Sequence, residues 1–578
     1  MIAPQELESR KICVERFILA IVCSTISQFF MLALFLLFVN INVFHPITWI
    51  KSLSTIFSIY TWLCIIPLIG SVCIYGVFMA RLLITGPQFY RNRFAMYRSS
   101  GKRVIYMGVH GIVGFLTAWL YAKFLPDGYN SLRAANDCRE GQWCYNEKYI
   151  FIILSGFYTG IYFFTKEYIK SQNLVTFPII RQRKYVQITS GLSGIFCKSM
   201  TMTVFSTGTY IVGYWIVSGM LKWILLEIFS LTTREESLFG HLMTFILDYK
   251  LLIFEWILTS QILSNMYLIN RLFMVFLTEH RTFPIIRVMG VESEITLGEA
   301  LAIHQVPVIQ DLACQDLFMV ANGCDPSRRK DIFTLSIPGG HPHNWKAIIT
   351  QCLELVNNFN QKLTKSIEGL QLEPIVPTKA AFVKPTATEI ADKIHQVQQF
   401  EGFRIHRSTN PQDFPSNYDP KVSSSTFYTL QDLRRIITNY TTSLKKSLLN
   451  YPGIHFLFSE KPFEEMFFHL RHSQRVLWIV QAVAALAEKS IEEDKFGVVQ
   501  NDLKDIIRTF LRLKISLDKI GNVMLGERKV DRNYLALKCA IRRSLYRISN
   551  TFAPYFGDLM LSEADLKALT PFITYKEA

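Results

Sequence analysis

The chain has 578 residues, half of them hydrophobic, and carries 61 Lys and Arg against 46 Asp and Glu, a formal charge of +15. That charge first suggests nucleic acid, yet residues 1–278 hold 24 cations against 13 acids, whereas residues 279–578 hold 37 against 33. Much of the excess therefore lies in short loops beside apolar runs, where anionic headgroups are the nearest partner, and no direct nucleic-acid contact is expected.

Six apolar stretches precede residue 278, at about Phe17–Val39, Ile56–Ala80, Val104–Phe124, Tyr149–Phe164, Met200–Leu221 and Ile253–Phe276. At roughly 1.5 Å per helical residue, those of 21 or more residues cover a hydrocarbon core of roughly 30 Å. The fourth is short and calls for snorkelling of Lys148 and Lys166, or for local thinning of the bilayer. The first is far longer than the apolar core of a cleaved signal and follows a mixed-charge start, so it reads as a signal anchor.

Orientation follows the cations, since Lys and Arg beside spans stay on the cytosolic side. The loop after the second span holds Arg81, Arg91, Arg93, Arg98, Lys102 and Arg103, and the loop after the fourth holds Lys166, Lys170, Arg181, Arg183, Lys184 and Lys198, with Glu167 as the one acid among them. These loops are expected to face the cytosol. Six spans then place both termini there, residues 1–16 forming a short cytosolic segment ahead of a span domain at 17–278. Arg91, Arg93, Arg98, Lys102, Arg103, Arg181, Arg183 and Lys184 are the candidate contacts to the membrane surface.

Few polar residues interrupt the spans. His110 is the most central and reads as a neutral imidazole hydrogen-bonded between helices; Glu255 and Arg271, near opposite ends of the sixth span, read as interfacial anchors. Ser206, Gly208, Gly213, Ser218 and Gly219 predict close packing by the fifth span. Pro67 and Gly70 mark a kink in the second span, with no corresponding broken helix of the kind an inverted-repeat transporter carries.

Of the eleven cysteines only Cys138 and Cys144 fall in a loop assigned to the opposite, oxidising side, which makes them a candidate disulfide. No His or further Cys neighbours them in sequence, so zinc is not expected there. The sequon Asn439-Tyr440-Thr441 is assigned to the cytosolic side and should stay unmodified.

After the spans come a first cytosolic helical segment at 279–365, a Pro-rich linker at 366–425 and a C-terminal helical bundle at 426–578. A helix is predicted over Val308–Asn322, stopped by Gly323, and a short basic one over Ser327–Phe333, with Asp325 as its cap and Pro326 at its first position. The run Pro338-Gly339-Gly340-His341-Pro342-His343-Asn344-Trp345 is too rich in Pro and Gly for regular structure and reads as a rigid turn, with Asn344 capping the helix of Ile348, Cys352, Val356, Phe359 and Leu363. His341 and His343, without an acid or thiol at suitable spacing, do not make a metal site, and Gly339-Gly340 lacks the Lys-Ser/Thr of a phosphate loop. No cofactor is expected.

In the linker, Pro374, Pro377, Pro385, Pro411, Pro415 and Pro420 leave room for one short helix near Glu389–Phe400. Three apolar stripes follow: Leu430 to Leu448, then Leu477, Val480, Val483 and Leu486, then Leu503, Ile506, Phe510, Leu513, Leu517 and Ile520. They need one another for burial, as in a bundle. The last long helix carries Tyr534, Leu537, Ile541, Leu545, Ile548 and Phe552 on one face and Arg532, Lys538, Arg542, Arg543 and Arg547 on the remainder. Bundle core is the assignment for its apolar face, with a membrane surface as the alternative. The fold class is all-α: a six-helix transmembrane bundle followed by a cytosolic α-helical domain.

Phe44-His45-Pro46, Phe177-Pro178-Ile179-Ile180, Pro326-Ser327-Arg328-Arg329, the Pro338–Trp345 run and Glu493-Asp494-Lys495-Phe496-Gly497-Val498-Val499-Gln500 together resemble the nuclear-division-cycle (NDC) transmembrane nucleoporins over essentially the whole chain. The linker is shorter than in vertebrate members. The resemblance implies an integral nucleoporin of the nuclear envelope that anchors pore complexes to the pore membrane and supports their assembly. The implied partners are scaffold nucleoporins, other pore-membrane proteins, an aladin-like protein and the lipid bilayer. The rival is a multi-span transporter or channel of the endoplasmic reticulum or nuclear envelope; for an enzyme, no nucleophile, base and orienter share a motif.

Overall fold

The computed structural model describes residues 4–39, 54, 58–84, 86, 88–90, 92–98, 101–134, 144–169, 175–178, 182–229, 248–287, 294–324, 326–336, 339–372, 454, 458, 463–525 and 531–574. The chain divides into two units, one of Met1–Lys365 with Phe463–Ala578 and one of Ser366–Pro462. In the second, the described residues are the end of one helix and two single positions. The helix near Glu389–Phe400, the Leu430–Leu448 stripe and the sequon at Asn439 lie outside the described residues.

The first unit opens with α1 (Pro4–Val39), α2 (Ile59–Ile84), the short α3 (Arg93–Arg98), α4 (Gly101–Ala122), α5 (Glu147–Phe164), α6 (Lys184–Phe229) and α7 (Tyr249–Leu277). All but α3 are long and apolar enough to cross a membrane. The fourth span is longer than its apolar run, because α5 begins at Glu147 and continues through a π-helical turn at Thr165–Ile169; the added ends carry Glu147, Lys148, Lys166 and Glu167. Asn146 caps it, accepting from the Tyr149 N–H at 3.4 Å while its own amide donates to the carbonyls of Gly128 and Ser131. The fifth span is longer than the predicted Met200–Leu221: α6 has 46 residues, about 69 Å. Backbone hydrogen bonding does not stop where the apolar run stops.

α7 is the hub, packing on α1, α2, α4, α5 and α6. In its most apolar window 72% of residues are buried, against 17% in α6, so α6 is peripheral. The tightest contact joins α4 to α5, where a Cβ on Gly114 or Gly160 would collide with the backbone of Gly156 or His110. The close packing predicted for the fifth span is not found at its glycines: Gly208, Gly213 and Gly219 each face open space. Between α4 and α5, β1 (Arg133–Ala134) and β2 (Cys144–Tyr145) pair antiparallel, Ala134 opposite Cys144. Cys138 lies outside the described residues.

The segment beyond α7 leads to α8 (Leu297–Ala302), α9 (Pro307–Asn322), α10 (Ser327–Ile332) and α11 (His343–Leu372). Thr296 and Glu299 form a capping box on α8. Past the second unit come α12 (Glu464–Arg471), α13 (Gln474–Glu493), α14 (Gln500–Leu525), α15 (Arg532–Phe552) and α16 (Glu563–Ile573). α13 packs on α9 and α15, and α15 on α14 and α16. Leu503, Ile506, Phe510, Leu513, Leu517 and Ile520 are all buried, as are Val480, Val483 and Leu486; Leu477 is half-buried. The apolar face of α15, Tyr534 to Phe552, is buried in this core. Its basic remainder pairs outward, Arg547 with Glu488 of α13 and Lys538 with Asp518 of α14.

Candidate anchoring site

The exit from the last span is fastened at three points. Arg16 of α1 donates to the carbonyl of Leu277 at 2.7 Å, filling an acceptor left open by the end of α7. Lys184, first residue of α6, pairs with Glu279 at 2.7 Å. Asp316 of α9, fully buried, accepts from the Phe283 N–H at 2.9 Å and from both terminal nitrogens of Arg328, which also donates to the Phe283 carbonyl. Burial alone would raise the Asp316 carboxyl; the nearby His280 ring, at 3.3 Å, and hydrogen bonds from Arg328 and the Phe283 N–H outweigh it and hold the group below its ordinary value.

The neighbouring Arg329 lies 2% exposed and grips Glu493 at the end of α13 with two bonds of 2.6 and 2.5 Å, a third going to the Gly323 carbonyl. The hydrogen bonds from Arg329 hold Glu493 below the usual carboxylate range. This is the planar, bidentate pairing for which a guanidinium is suited and an ammonium is not.

The turn before α11 completes the clasp. Gly339 and Gly340 adopt φ of +118° and +63°, values that favour glycine. The Ser336 N–H donates to the His341 carbonyl and the Gly340 N–H to the Ser336 carbonyl, each at 2.9 Å. His341 and His343 are exposed on this turn, and the Pro342 carbonyl accepts from Lys346 at the start of α11. Asn344 is not a cap: α11 already begins at His343, and the Asn344 amide donates sideways to Asp331 and Thr334. Trp345 is wholly buried, its Nε1 donating to Asp502 of α14 at 2.8 Å and its ring 5.9 Å from that of Phe333. Pro338 lies outside the described residues, as does Asp325; α10 starts at Ser327, directly after Pro326.

The two basic loops meet the helical region directly. Phe89, after α2, meets Phe468 of α12 at a tilt with ring centres 5.5 Å apart, and Phe177, after α5, meets Trp478 of α13 edge-on at 5.4 Å. Of the candidate membrane-surface cations, Arg91 and Arg181 lie outside the described residues. Arg93 and Arg98 bound α3, Lys102 and Arg103 fall in the first turn of α4, and Arg183 directly precedes Lys184.

Within the spans several polar groups join one helix to another. Gln28 of α1 and Asn265 of α7 exchange amide hydrogen bonds at 2.8 and 3.0 Å, and Gln261 donates to the Met31 carbonyl. Glu255 is not an interfacial anchor: it is 1% exposed and accepts from Thr207 of α6. Arg271 is exposed and donates to the Gln187 carbonyl of α6. His110 is buried; the bond at its Nδ1 goes to the Tyr106 carbonyl of its own helix, and its ring is packed by Tyr75, Phe163 and Phe164. Sequence reasoning passed over two legible signals here, the Gln261/Asn265 pair one helical turn apart and the glycines at 156 and 160 facing those at 111 and 114.

Of the residues that carry the resemblance, Phe177 and Arg328 sit at the joint between spans and helices, Arg329, Glu493 and Trp345 fasten the helices to one another, and Phe44, His45 and Pro46 lie outside the described residues. The profile of a family described as "Nucleoporin protein Ndc1-Nup" matches residues 11–570. The chain belongs to the Ndc1-Nup family. It is 30% identical to Nucleoporin Ndc1 of Drosophila pseudoobscura pseudoobscura, with 94% of this chain and 95% of that protein covered. To Nucleoporin Ndc1 of Drosophila melanogaster it is 29% identical, with 96% of each covered, and to Nucleoporin NDC1 of Homo sapiens 25%, with 97% of each. Ndc1-Nup proteins are structural components of the nuclear pore and not enzymes.

Proposed function

We propose that this Ndc1-Nup chain is an integral nucleoporin of the pore membrane that anchors nuclear pore complexes to the nuclear envelope and supports their assembly. The observation that carries the reading is the joint: Asp316 and Arg328 tie the segment leaving the last span, at Phe283, to the helical region, and Arg329 with Glu493 locks that region's helices to one another, so force on the helices is passed towards the spans. In this reading the basic loops and both termini face the cytosol and pore, as the cation distribution favours. The helical region then binds scaffold nucleoporins, other pore-membrane proteins and an aladin-like protein. Arg93, Arg183 and their neighbours meet anionic headgroups, and Cys138 and Cys144 pair in the lumen. The bonding of Gln28, Asn265, Gln261 and Glu255 to adjacent helices speaks against a transporter, which keeps such groups for its cargo.

Proximity labelling from a biotin ligase fused after Ala578, with imaging of the nuclear rim, tests this. Enrichment of scaffold nucleoporins with punctate rim staining supports it. Diffuse reticular staining without such proteins overturns it.

A further inference from the structure

α4, α5 and the far part of α6 enclose an open apolar groove of about 570 Å³, walled by Phe115 and Trp119 of α4, Ile153 and Leu154 of α5 and Leu221 of α6. That volume falls within the range of about 300–1,000 Å³ usual for small-ligand sites. Phe115 and Trp119 stand four apart on one stripe of α4 and Lys123 lies in the turn directly after it, so the groove descends about 12 Å from Lys123 at its mouth. Trp119 and Tyr149 are the residue types that mark the membrane–water boundary, which puts the mouth at headgroup level and Phe115 at the depth of acyl chains. Phe115 and Trp119 remain 37% and 38% exposed in the groove, an apolar surface that calls for an apolar occupant.

The cation at the mouth sets the class of occupant. Lys148, at the start of α5, is neutralised by Asp248 at 2.7 Å. Lys123 has no such carboxylate among the described residues; its ammonium lies 5.6 Å from the centre of the Trp119 ring. A positive end above an apolar slot matches an amphiphile with a negative head.

We propose that this groove is a lipid site, holding one acyl chain of an anionic phospholipid whose phosphate rests against Lys123. The site differs from general contact with bilayer lipid in being concave, chemically graded along its length and charged at one end.

The test uses the full-length protein in nanodiscs of phosphatidylcholine, doped with a phospholipid carrying a diazirine in its acyl chain and either an inositol or a choline headgroup. Cross-links are located by mass spectrometry. Labelling at 115–123 and 150–154 is expected to favour the phosphatidylinositol probe by about fivefold, roughly the worth of one lysine at an anionic surface. Lys123→Gln should bring that ratio near one and Lys123→Arg should keep it. Leu154→Trp should reduce labelling by both probes while leaving elution from a sizing column unchanged. Equal labelling by the two probes in the unaltered protein overturns the anionic preference. Labelling unchanged in monodisperse Leu154→Trp overturns the groove.

Discussion

In the membrane bundle glycine contacts and amide hydrogen bonds are added to the apolar packing between helices, whereas in the helical region aliphatic and aromatic side chains are closed off by ion pairs. Gly114, Gly156 and Gly160 bring α4 and α5 into backbone contact, and Gln28 with Asn265 sets α1 against α7. Beyond the spans, Leu503 to Ile520 and Tyr534 to Phe552 form a dry core, and Arg329–Glu493 and Trp345–Asp502 fix how its elements meet. The difference follows from the solvent. Lipid tails are as apolar as leucine, so burying leucine among spans supplies no drive to associate, and close backbone approach and hydrogen bonds select the partner. In water the apolar area supplies the drive, and polar groups specify the arrangement.

Substitutions that separate the two regimes run from large effects to small. Glu493→Ala strands a buried guanidinium and should cost about 3–5 kcal/mol, while the paired change Arg329→Met with Glu493→Leu should be close to neutral; chemical unfolding in detergent reads both. Trp345→Ala empties a fully buried site and should cost about 3–5 kcal/mol, whereas Trp345→Phe forfeits mainly one hydrogen bond, about 1 kcal/mol.

Within the bundle, Gly160→Leu forces α4 and α5 apart and should cost about 1–3 kcal/mol or more, read as a lower melting temperature in detergent. Gly208→Leu, where an added Cβ meets nothing within 4 Å, should leave that temperature unchanged. If Gly208→Leu proves the more damaging, the close interface has been assigned to the wrong helices. Asn265→Leu, removing one inter-span amide pair, should cost about 0.6 kcal/mol and no more than about 2.

A separate effect is a pH dependence in the helical region. Burial, with Lys362 and His472 adding to it, pushes His469 down from 6.5 to about 4; Glu465 stands 3.9 Å away. The unfolded chain thus takes the proton first, and stability falls as pH drops from 6.5 towards 4. Glu493, held low by Arg329, contributes fully above about 4.5, and its contribution is lost as pH falls through the lower folded value. His469→Gln should therefore make the fall in melting temperature between pH 6.5 and 4 shallower, the half-buried His472 supplying part of what remains, and leave the steeper acid loss intact.

The spans were legible because lipid demands long apolar runs, and the fastenings of the helical region were legible as motifs, since Arg329, Trp345 and Glu493 lie in the segments that carried the resemblance. Their pairing was not, because Arg329 and Glu493 are 164 positions apart and nothing local links them. Asn344 misled because a cap and a side-on hydrogen bond place the same amide one residue apart along the helix start. Glu255 misled for another reason: its depth along the helix gave no hint that Thr207 would meet it. The fifth-span glycines pointed to packing because composition does not say which face of a helix a neighbour covers.

The claim on which the rest depends is that the helical region lies on the same side of the membrane as the basic loops that touch it through Phe89 and Phe177. A protease-cleavable tag after Ala578, in cells whose plasma membrane alone has been opened, measures this directly. The tag is expected to be cut while the nuclear envelope lumen is still sealed. Protection until the lumen is breached would contradict it.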